Sequence, residues 1–215
     1  MADYDIAIAG AGAVGVSCAL WAQMRGHRVL LADPEEPGAG TSYGNACTLA
    51  TYACLPVNDP SVLASLPGLM FSKDSPLSLS YVHALKNPRW MLSFLANCRP
   101  SRVEHISQCL ADLLAHSDAG LDPLIAEAGA EDLFVQNDAL YVWSTKAGFE
   151  AARAGNARRR ALGVAMEELD PDQIRALEPN LKLPLYRGLL FKNARHVKSP
   201  QELVSRMAQR FSALG

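Results

Sequence analysis

The residues best suited to chemistry are three glycines near the start of the chain and one carboxylate that follows them. Gly10, Gly12 and Gly15 form a GxGxxG motif directly after the apolar run at residues 6–9. In such a motif the first glycine permits a tight turn, the second lets a diphosphate lie against the backbone, and the third allows close helix packing. Asp33 comes 18 residues after Gly15, where a carboxylate can accept hydrogen bonds from ribose hydroxyls. The spacing predicts an adenine dinucleotide site.

Two parallel strands and one helix must position these residues. We expect a fully buried strand at residues 6–9, a helix from about Ala13 to Arg25, and a second strand at residues 29–32. The helix would direct its free N–H groups and the positive end of its dipole at the diphosphate. Gly26 lies where a helix C-terminus favours a positive φ. An ordinary βαβ unit whose glycines serve packing alone is the alternative.

The second informative stretch is residues 41–50, which follow a Pro- and Gly-rich loop at residues 34–40. Its side chains are mostly small, or carry hydroxyl or amide groups, and Gly44 can bend the backbone. Such residues suit a segment laid along a cofactor, because their polar groups reach ligand atoms without bulk. Composition alone would equally allow a surface turn.

Together these motifs resemble the FAD-dependent D-amino acid oxidase superfamily, and most of all its bacterial D-amino acid dehydrogenase (small subunit) branch. The resemblance rests on the glycine motif with Ala19 and Gly26, the acidic end of the second strand, and the pattern Thr-Ser-x-x-Asn-Ala at residues 41–46. It implies an α/β fold with a Rossmann-like FAD-binding βαβ unit and an α+β portion of a substrate domain. Less specific similarity continues to residues 199–203.

The resemblance also implies which residues contact FAD. The glycine motif would hold the ADP half, and the segment around Asn45 would run beside the diphosphate towards the flavin. The expected cofactor-binding residues are Gly10, Ala11, Gly12, Ala13, Val14, Gly15, Asp33, Pro34, Thr41, Ser42, Asn45, Ala46, Cys47 and Thr48. Family members usually have glycine where this chain has Cys47, so a positive φ there would strain the backbone by about 1 kcal/mol.

The implied reaction is oxidative deamination of a D-amino acid or a related amine. Hydride leaves Cα for flavin N5, and the imino acid hydrolyses to a 2-oxo acid and ammonia. Expected partners are the amino acid and a quinone or membrane-surface electron acceptor. We assign no catalytic residue, since the histidines at 83, 105, 116 and 196 and the cations Arg187 and Arg195 carry no distinguishing pattern. Two alternatives stay open: a non-catalytic or degenerate flavoprotein, and an NAD-dependent dehydrogenase.

The amino-acid composition limits the partners, the metal content and the location that we expect for the protein. The chain has 215 residues and a formal net charge of −2, which gives no electrostatic reason to expect nucleic acid. Its five cysteines include no CxxC pair and no histidine at zinc spacing, so we expect reduced thiols and no metal. Residues 1–4 have neither the basic start nor the apolar stretch of a signal peptide, so we expect none. We therefore expect a cytoplasmic protein of amino acid catabolism. Peripheral attachment to the inner face of the membrane is the alternative.

Along the rest of the chain, the pattern of apolar residues predicts mainly helices up to residue 125, and a mixture of strands and helices after it. Helices are predicted at residues 61–71, 77–86, 90–95 and 103–125, a hairpin at 133–143 around Asn137 and Asp138, and a helix at 145–162. A capped helix at 170–177, a strand at 188–191 and a last helix opened by Ser199 follow.

The predicted organisation has three parts: residues 1–50 as the FAD-binding βαβ unit and cofactor loop, 51–195 as a helical segment with part of the substrate-domain sheet, and 196–215 as a helix returning to the FAD-binding domain. In the family that the chain resembles, a further strand and the rest of the substrate domain follow such a helix. We therefore expect a fold incomplete at the C-terminus: a fragment, a truncated gene product, or a chain completed by a partner.

Overall fold

The structure, a computed structural model, describes residues 3–58, 60 and 86–215. The described strands are β1 (Ile6–Ala9), β2 (Val29–Ala32), β3 (Thr48–Leu49), β4 (Phe134–Gln136), β5 (Ala139–Trp143), β6 (Met166–Leu169), β7 (Arg187–Phe191) and β8 (Arg195–Val197). The described helices are α1 (Ala13–Met24), α2 (Pro88–Asn97), α3 (Pro100–Ala115), α4 (Ser117–Glu127), α5 (Lys146–Ala151), α6 (Arg153–Ala161), α7 (Pro171–Leu177) and α8 (Pro200–Leu214). The helices predicted at 61–71 and 77–86 lie outside the described residues, apart from residue 86.

The chain forms two compact units. Unit 1 comprises Met1–Tyr52, Ala115–Ala151 and Val164–Gly215, and unit 2 comprises Ala53–Leu114 and Ala152–Gly163. Unit 1 therefore contains both predicted cofactor segments.

The βαβ unit of unit 1 confirms the predicted elements. β1 and β2 pair in parallel, with Ile6 opposite Val29 and Ala9 opposite Ala32. The Asp5 carboxylate accepts from the Arg28 backbone N–H at 2.9 Å and pairs with its guanidinium, which fastens the two strands where they begin. Gly26 follows α1 with φ +88°, as expected of a helix C-terminus.

The prediction that these strands are fully buried is wrong. Ala7, Ala9, Leu30 and Ala32 are exposed on one face of the pair, whereas Val29 on the other face is buried. The physical reason is that α1 covers one face of the sheet, and among the described residues β1 and β2 pair only with each other.

The main core of unit 1 lies between α1, α4 and α8. Val16 and Leu20 of α1 pack with Leu124 of α4 and with Val204 and Met207 of α8. The Ser199 side-chain oxygen accepts from the Glu202 backbone N–H at 3.2 Å, so the predicted cap of the last helix is confirmed. The capping box at Asp170 and Gln173 opens α7 as well.

Two three-stranded antiparallel sheets complete unit 1, in the orders β3-β8-β4 and β5-β7-β6. The predicted hairpin of β4 and β5 is wrong, because these strands belong to different sheets. Asn137 donates its backbone N–H to the Ala194 carbonyl, and the Asp138 carboxylate accepts from the Asn193 backbone N–H at 3.0 Å. The turn with positive φ is at Asn193, not at Asn137 or Asp138.

Unit 2 contains α2, most of α3, and α6. Val103 and Ser107 of α3 are buried, whereas Leu113 of the same helix is 70% exposed. The single helix predicted at residues 145–162 is wrong, since a break at Ala152 separates α5 from α6. No helix in the described part of the chain has the length and apolar character needed to cross a membrane.

Candidate functional site

The glycine motif forms the bend between β1 and α1. Gly10 has φ +105° and donates its N–H to the Ala32 carbonyl at 2.8 Å, which extends the ladder between the two strands. A Cβ on Gly15 would overlap the carbonyl oxygen of Gly10. The bend therefore needs glycine at both positions, at the first for its φ and at the third for its close approach.

Asp33 points its carboxylate at this bend. Its Oδ2 accepts from the Ala11 backbone N–H at 2.6 Å, and its Oδ1 accepts from the Glu35 backbone N–H at 2.9 Å. These two hydrogen bonds, that from Ala11 foremost, hold the pKa of the Asp33 carboxyl below its usual value. Each oxygen of an ionised carboxylate has a second lone pair, so exposed Asp33 can also accept from ligand hydroxyls.

The segment from Thr41 to Thr48 reaches the start of α1 through Ser42. The buried Ser42 side-chain oxygen accepts from the Ala13 backbone N–H at 3.0 Å. Gly12 occupies the N-cap position of α1 but has no side chain that could accept this hydrogen bond. A hydroxyl 29 residues away thus caps the helix and brings the two predicted motifs together.

The same segment is fixed at its other end to β8. The Cys47 carbonyl accepts from the Val197 backbone N–H at 2.8 Å, and Thr48 pairs with His196 in the sheet. Asn45 stabilises the turn between, because its Oδ1 accepts from the Cys47 backbone N–H at 2.9 Å and its Nδ2 donates to the Ser42 carbonyl at 3.2 Å. The Asn45 side chain therefore stabilises the turn by hydrogen bonds to backbone groups within the segment.

Cys47 occupies a backbone conformation that favours glycine. Its φ is +62°, the condition under which a residue with a Cβ is expected to be strained. The Cys47 Sγ lies 3.1 Å from the carbonyl oxygen of Asn45, within the same turn.

The N-terminus of α1 has the properties of an anion site. Within the described part of the chain, no acceptor outside the helix is found for the backbone N–H groups of Val14 and Gly15, and the first turn carries no acidic residue. Val14 is 78% exposed, so this end of the helix is open. First-turn N–H groups and the helix dipole both favour negative charge. The residues present therefore fit the diphosphate of a dinucleotide.

Three further predicted residues, Pro34, Thr41 and Ala46, belong to the same segments but make no hydrogen bond to the glycine bend among the described residues. Pro34, Thr41 and Ala46 are exposed, and the Thr41 hydroxyl makes no hydrogen bond to the residues that the structure describes. The Ala46 carbonyl accepts from the Thr48 hydroxyl at 3.2 Å, a contact within the turn.

Gly38 is a residue of this site that the sequence did not reveal. It has φ +78°, and its N–H donates to the Ala11 carbonyl at 3.0 Å. A Cβ there would lie 3.1 Å from Cβ of Val204 and 3.3 Å from the Gln201 carbonyl oxygen. Gly38 thus joins the bend to α8, and the only sequence signal was a Pro- and Gly-rich loop.

The cations considered as carboxylate ligands already have acidic partners. Arg195 pairs with Asp118 and with Asp122, each at 2.6 Å. Arg187 pairs with Glu168 at 3.4 Å. Their charges are therefore compensated within unit 1.

Among the described residues, no contact of a histidine assigns it a catalytic role. His105 lies on α3 beside Cys109, and His196 lies on β8 opposite Thr48. His83 lies outside the described residues. We assign no catalytic residue.

The βαβ unit and its glycine bend define an α/β protein with a Rossmann-like dinucleotide-binding fold. The model of the FAD dependent oxidoreductase family (DAO) matches residues 5–215. The chain belongs to this family.

Two curated relatives agree with this family assignment, and a solved structure agrees with the fold. The chain is 32% identical over 213 residues to a D-amino-acid oxidase of Bradyrhizobium diazoefficiens, covering 98% of this chain and 50% of that protein. It is 34% identical over 181 residues to D-amino acid dehydrogenase 2 of Ralstonia nicotianae, covering 82% of this chain and 42% of that protein. A glycine oxidase structure from Geobacillus kaustophilus has the same fold, with a TM-score of 0.60 at 20% identity, over 99% of this chain and 45% of that one. The chain spans about half the length of the curated relatives it matches.

Proposed function

We propose that this chain carries the FAD-binding part of an enzyme that oxidatively deaminates D-amino acids. The observation that carries the proposal is the hydrogen bond from the Ala13 backbone N–H to the Ser42 hydroxyl oxygen. It joins the glycine bend and the Ser-x-x-Asn-Ala segment into one site at the N-terminus of α1. The names of the two relatives support the substrate class.

The chain's own residues would divide the binding of FAD among them. The backbone N–H groups of Val14 and Gly15 would donate to the diphosphate, and the absence of a side chain at Gly12 would admit it. The Ser42 hydroxyl accepts from Ala13 through its oxygen, so its hydrogen stays available to donate to a phosphate oxygen. The Asp33 carboxylate would accept from the ribose hydroxyls.

FAD, when bound, supplies an acceptor for the two electrons that leave the Cα–H bond of the amine. Water then converts the imino product to a 2-oxo acid and ammonia. We propose a quinone at a membrane surface as the next electron acceptor, and a cytoplasmic protein that can reach the inner face of the membrane. Because the chain spans about half of its relatives, we also propose that turnover needs the remaining half of that fold, in the same or another polypeptide.

A visible absorption spectrum tests the cofactor assignment. The purified chain, supplied with FAD and passed through a desalting column, is expected to keep flavin absorption bands at a ratio near one FAD per chain. A matched sample supplied with NAD should keep no nucleotide. A colourless chain after FAD, or retention of NAD instead, would contradict the proposal.

Substrate class is tested separately by anaerobic bleaching of the flavin bands in the assembled enzyme. D-alanine is expected to bleach them, whereas L-alanine is not. Glycine, sarcosine and proline serve as competing substrates, and bleaching by one of them alone would move the activity away from D-amino acids while leaving FAD binding intact. Recovery of the bands with a soluble quinone, faster than with dioxygen, is expected for the proposed acceptor.

A further inference from the structure

We propose that Arg195 is a positioning residue for residues 41–48, the FAD segment. Arg195 lies on β8, and its side chain is only 17% exposed. Its ion pairs to α4 hold β8 in place, and β8 holds one end of the segment. The effect on FAD rests on the proposed function, whereas the effect on the segment can be measured without FAD.

Two carboxylates on one side of α4 hold the Arg195 guanidinium. Asp118 and Asp122 are spaced at i and i+4, so they lie on the same side of the helix. The Arg195 Nη2 donates to Asp118 Oδ1 and its Nη1 donates to Asp122 Oδ1, each at 2.6 Å. The guanidinium carbon also lies 5.5 Å from the centroid of the Phe134 ring, a cation–π distance. Two charge-assisted hydrogen bonds and a ring therefore fix the orientation of the guanidinium.

The helix that holds Arg195 is part of the main core of unit 1. Leu124 and Ile125 of α4 are buried in the same cluster as residues of α1 and α8. Val197 of β8 is buried in this cluster too, and it lies on the same face of the strand as Arg195 because side chains two residues apart share a face. The face of β8 that carries Arg195 is therefore the face attached to the core.

β8 also carries one end of the FAD segment. Leu49, which follows the segment, pairs with Arg195, and Thr48 pairs with the next residue of β8. The Cys47 carbonyl accepts from the Val197 backbone N–H at 2.8 Å. Because β3 has only two residues, a shift of β8 would carry this end of the segment with it. Arg195 thus connects α4 to the FAD segment through β8.

The other end of the segment is held without Arg195. The Ser42 hydroxyl oxygen accepts from the Ala13 backbone N–H at 3.0 Å, beside the glycine bend that is expected to hold the ADP half of FAD. Loss of the Arg195 ion pairs should therefore loosen the segment near Cys47 and leave it in place near Ser42. A general loss of stability would instead weaken both ends.

Thiol reactivity reports the position of the segment in the absence of FAD. The measurement uses the 215-residue chain with its two exposed thiols removed by Cys18→Ser/Cys109→Ser. Cys54 and Cys98 are buried, so the fast reaction with an aromatic disulfide reagent should come from Cys47.

Substitutions of Arg195 in this background test the positioning role. Arg195→Gln is expected to speed the Cys47 reaction by roughly tenfold, because two ion pairs that oppose local opening are lost. Arg195→Lys keeps the charge but reaches one carboxylate at a time, so its rate should lie between, and it provides the test if Arg195→Gln does not fold. Arg206→Gln is the matched control, because Arg206 also pairs with two carboxylates but lies on α8. It should leave the Cys47 rate unchanged.

Ligand affinities separate the positioning role from the proposed function. In Arg195→Gln the affinity for FAD is expected to fall several-fold, whereas the affinity for ADP should be unchanged because ADP reaches only the glycine bend. An equal loss for both ligands would contradict the positioning role. A faster Cys47 reaction in a chain whose native form binds no FAD would support the role of Arg195 and contradict the proposed function instead.

A double-mutant cycle tests whether the two carboxylates carry the effect. Asp118→Asn/Asp122→Asn should speed the Cys47 reaction as much as Arg195→Gln does. The three substitutions together should add nothing further, as for groups that act as one unit. Additive effects, an unchanged Cys47 rate in Arg195→Gln, or an equal rise in Arg206→Gln would each overturn the proposal.

Discussion

The Ser42 hydroxyl oxygen lies 3.0 Å from the Ala13 backbone nitrogen and caps the helix that follows the glycine bend. Because Gly12 cannot cap the helix, this contact is both structural and part of the cofactor site. Ser42→Ala is expected to lower the free energy of unfolding by about 1 kcal/mol, as for other lost N-caps, and to weaken FAD binding several-fold. Urea titration and flavin fluorescence measure the two effects. Ser93→Ala, at an exposed serine of α2, should change neither.

The stability that Asp33 contributes to the folded chain should depend on pH. Its pKa is lowered in the folded chain by hydrogen bonds from the backbone N–H groups of Ala11 and Glu35. The stability it contributes is therefore complete above the ordinary aspartate pKa near 4, and is lost as pH falls through the lower folded-state pKa. The difference in urea midpoint between the native chain and Asp33→Asn should therefore shrink as the pH is lowered below about 4. Asp3→Asn is the control, and an unchanged difference at pH 2 would contradict this account.

Cys47 should be replaceable by glycine with a gain in stability. Its φ of +62° costs a residue with a Cβ about 1 kcal/mol or more, part of which the greater freedom of unfolded glycine offsets. Cys47→Gly is expected to raise the urea midpoint, whereas Cys47→Ala keeps the Cβ and should not. A gain in both variants would place the cost in the thiol rather than in the backbone.

Gly38 should tolerate no side chain. An added Cβ meets Val204 and the Gln201 carbonyl at 3.1 and 3.3 Å, in a backbone with φ +78°. Gly38→Ala is expected to lower the free energy of unfolding by about 1–3 kcal/mol. Thermal and urea unfolding measure this loss. Gly40→Ala, two residues away with no atom within 4 Å of the new Cβ, should be close to neutral.

The βαβ unit could be predicted because its signals are local. A glycine motif, an apolar run on each side and Gly26 lie within one short stretch, and each has a direct conformational reason. The capped helices at Asp170 and Ser199 are likewise fixed by residues within one turn. For such elements the neighbouring residues determine the conformation.

The sheets outside the βαβ unit could not be predicted, because their partners are distant in the sequence. Thr48 pairs with His196, and Ala139 pairs with Phe191. β3 has two residues and β8 has three, too few to show an alternating pattern. The Asn-Asp pair at 137–138 suggested a turn back to the preceding strand, whereas the chain passes from one sheet to the other.

The site was predicted by residue type but not by its contacts. Ser42 was expected near the cofactor, but its bond to Ala13 depends on the path of residues 34–41. Asp33 was expected to face the ribose, and the structure adds its bond to the Ala11 N–H. Gly38 was missed because its role depends on α8, more than 160 residues later.

The central claim is that a dinucleotide diphosphate lies against the backbone at Gly12, and titration of Gly12→Ala with FAD tests it most directly. The new Cβ would lie 3.6 Å from the Ser42 Oγ, an ordinary contact, so the fold should be kept while the space for the diphosphate is filled. We expect the urea midpoint to be nearly unchanged, FAD affinity to fall at least tenfold, and Gly40→Ala to bind FAD like the native chain. Unchanged FAD affinity in a folded Gly12→Ala chain would contradict the account.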